Sequence, residues 1–130
     1  MLKKEKTPKY TILVVEDELP LQQAIQLKLE KNDLGVVTAR SVTQARTLID
    51  ELSKVDAIWL DHYLIGKESG LDFVAEVKNN PKLKRIPIFV VSNTASADKV
   101  KTYLELGVNK YFTKSNYRLE QIITEIKKAI

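Results

Sequence analysis

The chain has no cysteine, which excludes disulfide bonds, thiolate zinc sites and thiol catalysis. A single histidine, His62, excludes a metal site built from several imidazoles. No apolar run approaches the length of a bilayer span, and the basic start MLKKEKTPKY lacks the hydrophobic stretch of a secretory signal, so a soluble, cytoplasmic protein is expected. The formal charge of +4 is dispersed over Lys3 to Lys9, Lys78 to Arg85, Lys99 to Lys101 and Lys127 to Lys128. No aromatic-interleaved basic stripe accompanies it, so solvated helix faces and a floppy basic tail explain it better than nucleic-acid binding. What remains is 130 residues, 44% hydrophobic and 29% charged, enough for one packed core.

Strand and helix patterns alternate strictly along that chain. Thr11 to Val15 is a β-branched apolar run of strand length, and Leu19-Pro20 opens a helix with Leu21, Ala24, Ile25 and Leu29 at helical spacing. Gly35 to Ala39 reads as a weaker strand. Ser41 and Gln44 then form a capping box before a helix whose inward stripe is Val42, Ala45, Leu48, Ile49 and Leu52. A third strand, Ala57 to Asp61, precedes a helix starting near Ser69 with Leu71, Val74 and Val77 inward. A fourth, Ile86 to Ser92, precedes a helix carrying Val100, Tyr103 and Leu104 and ending at Gly107. A short fifth strand, Lys110 to Lys114, leads to a last helix with Leu119, Ile122, Ile123, Ile126 and Ile130 on one face. Alternating β and α units imply a parallel sheet with helices on both faces. The near-continuous apolar strands one, three and four should be central and two and five should be edges, which fits the doubly wound order 2-1-3-4-5. Residues 1–9 are expected to be a flexible tail and 10–130 one domain.

In such a sheet, ligands bind beyond the carboxyl ends of the strands. There stand Glu16, Asp17 and Glu18, then Asp61, then Ser92-Asn93-Thr94, then Thr113-Lys114-Ser115. Each has an ordinary explanation taken singly: the first acids could complement a helix dipole, worth roughly 0.3–1 kcal/mol, Ser92 or Thr94 could be an N-cap, and Lys114 could be a surface lysine. Asp61 is harder to dismiss, because no helix pattern follows it directly. Carboxylates gathered on one rim repel unless a cation relieves them, and an oxygen-ligated Mg²⁺ suits this donor set.

These residues carry a resemblance over residues 10–130. The segment ILVVEDE with its acid pair, Asp61 ending strand three, Ser92 ending strand four, Lys114 ending strand five and Tyr111 three positions before it resemble a response-regulator receiver domain of the two-component systems, single-domain and chemotaxis-regulator-like. The resemblance implies a flavodoxin-like (βα)5 fold and a phosphoryl group accepted on Asp61 in a Mg²⁺-dependent reaction. It implies metal ligands Asp17, Glu16, Asp61 and the backbone carbonyl of Tyr63. Lys114 would contact Asp61 and then a phosphoryl oxygen, and Ser92 would donate to another. Ser92 and Tyr111 would switch the surface of the fourth helix, fifth strand and fifth helix. The implied partners are a sensor histidine kinase or phosphotransfer protein and a downstream protein. The implied enzymology is self-directed, comprising phosphotransfer onto the domain and slow autodephosphorylation.

Departures from the family pattern concentrate in the loops. Ile65 stands where a proline is usual, Gly70 lies one position late, Asn93 replaces a small residue, and Ser115 replaces a proline after the lysine. They motivate an alternative, a receiver-like interaction module that works without phosphate. A haloacid-dehalogenase-like phosphatase would require a second aspartate where Tyr63 stands. His62 is expected to play a small role at most. The chain ends with its fifth helix, so it is either a single-domain regulator, which Met1 favours, or a receiver from a longer protein.

Overall fold

The computed structural model describes residues 8–52, 54–62, 69–93 and 96–130. Five parallel strands, β1 (Thr11–Val15), β2 (Gly35–Ala39), β3 (Ala57–Leu60), β4 (Ile88–Ser92) and β5 (Lys110–Thr113), form one sheet in the order β2-β1-β3-β4-β5. Between and after them run α1 (Leu19–Lys31), α2 (Val42–Glu51), α3 (Gly70–Asn79), α4 (Ala97–Leu106) and α5 (Leu119–Ala129). This is the doubly wound, flavodoxin-like arrangement expected from the alternation. Among the described residues no helix is long and apolar enough to cross a membrane.

Side chains of a strand alternate between its faces, so each central strand feeds two cores. Leu13, Val15, Ile58, Leu60, Ile88 and Val90 pack against α2, α3 and Tyr103 of α4. Ile12, Val14, Trp59, Phe89 and Val91 face the opposite way, onto Ile25 and Leu29 of α1 and Ile122, Ile123 and Ile126 of α5. Because β1, β3 and β4 are buried on both faces, their sequences are continuously apolar instead of alternating.

The boundaries differ from expectation at the strand ends. β3 stops at Leu60 and β5 at Thr113, yet the Asp61 N–H still donates to the Val15 carbonyl (2.9 Å) and the Lys114 N–H to the Ser92 carbonyl (2.8 Å). The two site residues are therefore anchored by backbone to the neighbouring strand. β4 begins at Ile88, not Ile86, since Pro87 has no N–H to give to the ladder.

On α3 Gly70, Phe73, Val74 and Val77 are buried, and Leu71, inward as expected, packs half-buried against the same core. On α4 only Tyr103 is buried, and Leu104 is 48% exposed. The Ser41 hydroxyl accepts from the Gln44 N–H (3.1 Å), as a capping serine should. The Gln44 side chain instead accepts from the Arg40 N–H (2.7 Å), one residue before the cap.

Gly107 closes α4 in the left-handed region, φ 103°, with its N–H bonded to the Leu104 carbonyl at 3.1 Å. An L side chain is disfavoured there. Gly107→Ala is expected to cost about 1 kcal/mol and to lower the thermal midpoint by about 4 °C. A melting curve that superimposes on the wild type would contradict this account of the cap.

Candidate functional site

The carboxyl ends of β1, β3, β4 and β5 lie side by side because the strand order makes them neighbours, and the polar residues that end those strands converge there. Glu16, just after β1, is fully buried together with its backbone, and its N–H donates to the Ala39 carbonyl (2.9 Å). Gln22, buried on α1, uses its amide to donate to the carbonyls of both Glu16 (3.0 Å) and Ala39 (3.2 Å), tying β1, β2 and α1 together behind the acid. Arg40 donates twice to the Asp17 carbonyl, at 3.1 and 2.9 Å, and fixes the next peptide from the other side.

The side chains then sort themselves by charge. Glu16 Oε1 accepts from Lys114 Nζ at 3.0 Å, and Glu16 Oε2 accepts from the Glu18 N–H at 3.2 Å. The same Lys114 Nζ stands 3.5 Å from Asp61 Oδ2. Asp61 is buried, 4% exposed, and Asp17 is half-buried. Glu16, Asp17 and Asp61 each bring a carboxylate oxygen to within 4.8 Å of the others. Ser92 is buried at the end of β4, and its Oγ has no hydrogen-bond partner among the described residues. It does not cap α4; that role falls to Ser96, whose hydroxyl accepts from the Lys99 N–H at 3.3 Å. Nor do the first acids cap α1 through a side chain.

Burial drives the electrostatics. Loss of hydration, and then the nearby Asp61 carboxylate, push the Glu16 pKa up to about 7, against the hydrogen bond from Lys114. Burial also opposes the charge on Lys114, but the hydrogen bond to Glu16 and the charges of Asp61 and Glu16 outweigh it, and its pKa is raised. One ammonium thus faces two buried carboxylates, with a third beside them. Hard oxygen donors carrying surplus negative charge suit a small divalent cation. A buried hydroxyl without a partner suits an incoming anionic oxygen. Mg²⁺ and a phosphoryl group therefore both fit the residues present.

Tyr111 is half-buried on β5, its ring 5.7 Å from that of Tyr103. Tyr63, expected to offer a carbonyl, and Ile65 lie outside the described residues. His62 is 8% exposed and shares a 2.5 Å hydrogen bond between Nδ1 and the Tyr103 hydroxyl, a packing role in keeping with expectation. Burial, then Lys99, lowers its pKa against the pull of Asp61. The strand-end logic of the sequence does not reach Gln22 or Arg40. A signal for Gln22 existed, since it falls in the buried stripe Gln22, Ile25, Leu29 as a lone polar residue on an apolar line.

Fold and site together define a receiver, and the comparisons agree. The family model "Response regulator receiver domain" matches residues 12–127, so the chain belongs to that family. Response regulator Rcp1 of Synechocystis is 34% identical over 119 residues, 85% of this chain and 80% of Rcp1. The crystal structure of the Mn²⁺-bound form of Rcp1 superimposes with a TM-score of 0.77 at 30% identity, covering 92% of this chain and 90% of that one. The phosphorylated cyanobacterial phytochrome response regulator RcpA gives 0.78 at 33% identity, covering 92% and 89%.

The raised Glu16 pKa has a pH signature in metal-free protein. A folded pKa of about 7 above a reference of 4.5 means that the neutral acid favours the fold, with that advantage complete below 4.5 and lost as pH rises through 7. In EDTA, wild type should lose stability relative to Glu16→Gln over that window, by no more than about 3 kcal/mol. Denaturant titrations at several pH values measure this, and parallel pH profiles for the two proteins would refute it.

Proposed function

We propose that this receiver accepts a phosphoryl group on Asp61, and one observation supports the reading most directly. A buried carboxylate lies 3.5 Å from a half-buried ammonium and shares its strand-end rim with a hydroxyl that has no partner among the described residues. That set matches the needs of phosphoryl transfer, in which placement and charge neutralisation dominate. An Asp61 carboxylate oxygen attacks phosphorus, the bond from phosphorus to the donor's leaving atom breaks with its electron pair, and a mixed anhydride results. Lys114 then turns its proton donors from the free carboxylate to a phosphoryl oxygen. Ser92 donates its hydroxyl to a second phosphoryl oxygen. Asp17, Glu16 and Asp61, with the carbonyl of Tyr63 as a further ligand, would hold Mg²⁺, which would supply positive charge to offset the three acids. The manganese in Rcp1 and the phosphorylation of RcpA support the same assignment by kinship.

The donor in this reading is a sensor histidine kinase or phosphotransfer protein of the cytoplasm, and the output is protein contact. A cleft of about 520 Å³ runs between α4, β5 and α5, lined by Val100, Leu104, Tyr111, Phe112 and Tyr117 among others. Leu104 and Tyr117 are exposed there, so the face has apolar surface to offer a partner. Movement of Ser92 towards the phosphoryl group and of Tyr111 towards the space it leaves would reshape that cleft.

Incubation with Mg²⁺ and acetyl phosphate should add one phosphoryl group per chain, read by mass spectrometry. Asp61→Asn should reduce the label to background. Added Mg²⁺ should raise the melting temperature of wild type but not of Asp17→Asn, since a ligand that binds only the folded state stabilises it. A wild type that neither labels nor responds to Mg²⁺ would instead be a phosphate-independent interaction module.

A further inference from the structure

The segment that follows Asp61 meets residues of two helices, α3 close by in sequence and α4 far along the chain. Gly70, the first residue of α3, donates its N–H to the His62 carbonyl at 3.5 Å. The His62 imidazole is buried, and its Nδ1 lies 2.5 Å from the hydroxyl of Tyr103 on α4, with the two rings edge to face at 5.5 Å and 88°. Tyr103 is itself fully buried, and its ring meets that of Tyr111 at 5.7 Å. The fit around its hydroxyl is tight: a Cβ at position 70 would come within 2.5 Å of the Tyr103 oxygen and 3.3 Å of the Asp61 carbonyl. Gly70 therefore keeps open the gap through which Tyr103 reaches His62.

Tyr103 is the only buried side chain of α4. α4 also leans on the core through half-buried Leu106, but its one fully buried side chain is bonded to the residue next to the phosphoacceptor. We propose that the His62–Tyr103 pair is a mechanical link by which a change at Asp61 displaces α4 directly, in parallel with any movement of Ser92 and Tyr111. His62 and Tyr103 act as positioning residues, and no change in their protonation is required. Packing of Tyr103 on Tyr111 lets the link also set the resting position of the Tyr111 ring. The inference rests on Asp61 being the phosphoacceptor.

Backbone ¹H–¹⁵N spectra recorded with and without beryllofluoride and Mg²⁺ test it. In wild type, resonances near Asp61 and Ser92 and those of residues 97–106 should all move. Tyr103→Phe keeps the ring and removes the hydroxyl; it should bind beryllofluoride within about threefold of wild type while the response of residues 97–106 falls by at least half. His62→Leu should produce the same selective loss, and the double variant should lose no more than either single one. Undiminished α4 responses in either variant, or additive losses in the double variant, overturn the link. A wild type that shows no response anywhere overturns the phosphoacceptor reading, and the link falls with it. The two failures are thus distinguishable in one set of spectra.

Discussion

One half-buried ammonium set between two buried carboxylates is the interaction on which the site depends. Lys114 belongs to the end of β5, Glu16 to the end of β1 and Asp61 to the end of β3, so their meeting requires the strand order and registers observed. Desolvating three charges in one place is unfavourable unless each is hydrogen-bonded or paired. Glu16 meets that condition with Lys114 and the Glu18 N–H, and the peptide bearing it is held by Gln22 and Ala39. Even so, the charges do not balance. The raised Glu16 pKa expresses that imbalance, and a divalent cation is the simplest group that removes it.

Most of the fold was legible because it depends on continuous apolar runs. TILVV, AIWL and IFVVS announce strands covered on both faces, and their placement at the centre follows from that alone. Helix faces were harder to read. Val100, Tyr103 and Leu104 share a helical stripe, but successive residues on a helix diverge by about 100°. α4 buries only the line through Tyr103, leaving Leu104 for the α4–β5–α5 cleft. No local pattern announces how wide a stripe the tertiary packing will cover.

The candidate site divides along the same line. Glu16, Asp61, Ser92 and Lys114 could be picked out because each ends a strand or directly follows one, and the sheet carries them to one rim. His62 could not, because its partner Tyr103 lies 41 residues later on another element. Its neighbours in sequence say nothing of that helix, and a lone histidine beside a loop reads as incidental. Gln22 was similarly hidden, since its amide serves the backbone of β1 and β2 instead of any side chain that a motif would contain.

Two buried donors, Trp59 Nε1 and Ser92 Oγ, find no partner among the described residues, and their positions separate their meanings. An unsatisfied buried polar group costs about 1–3 kcal/mol. Trp59 lies inside the layer beneath α1 and α5, where its large apolar surface offsets that cost through packing. Ser92 has little surface to bury and stands at the open end of β4, on the rim shared by Lys114 and Asp61. In the proposed reaction, an acceptor oxygen of the phosphoryl group would relieve that penalty as it bonded to the hydroxyl. The difference in free energy between occupied and empty site would be enlarged by that amount, which favours a two-state response.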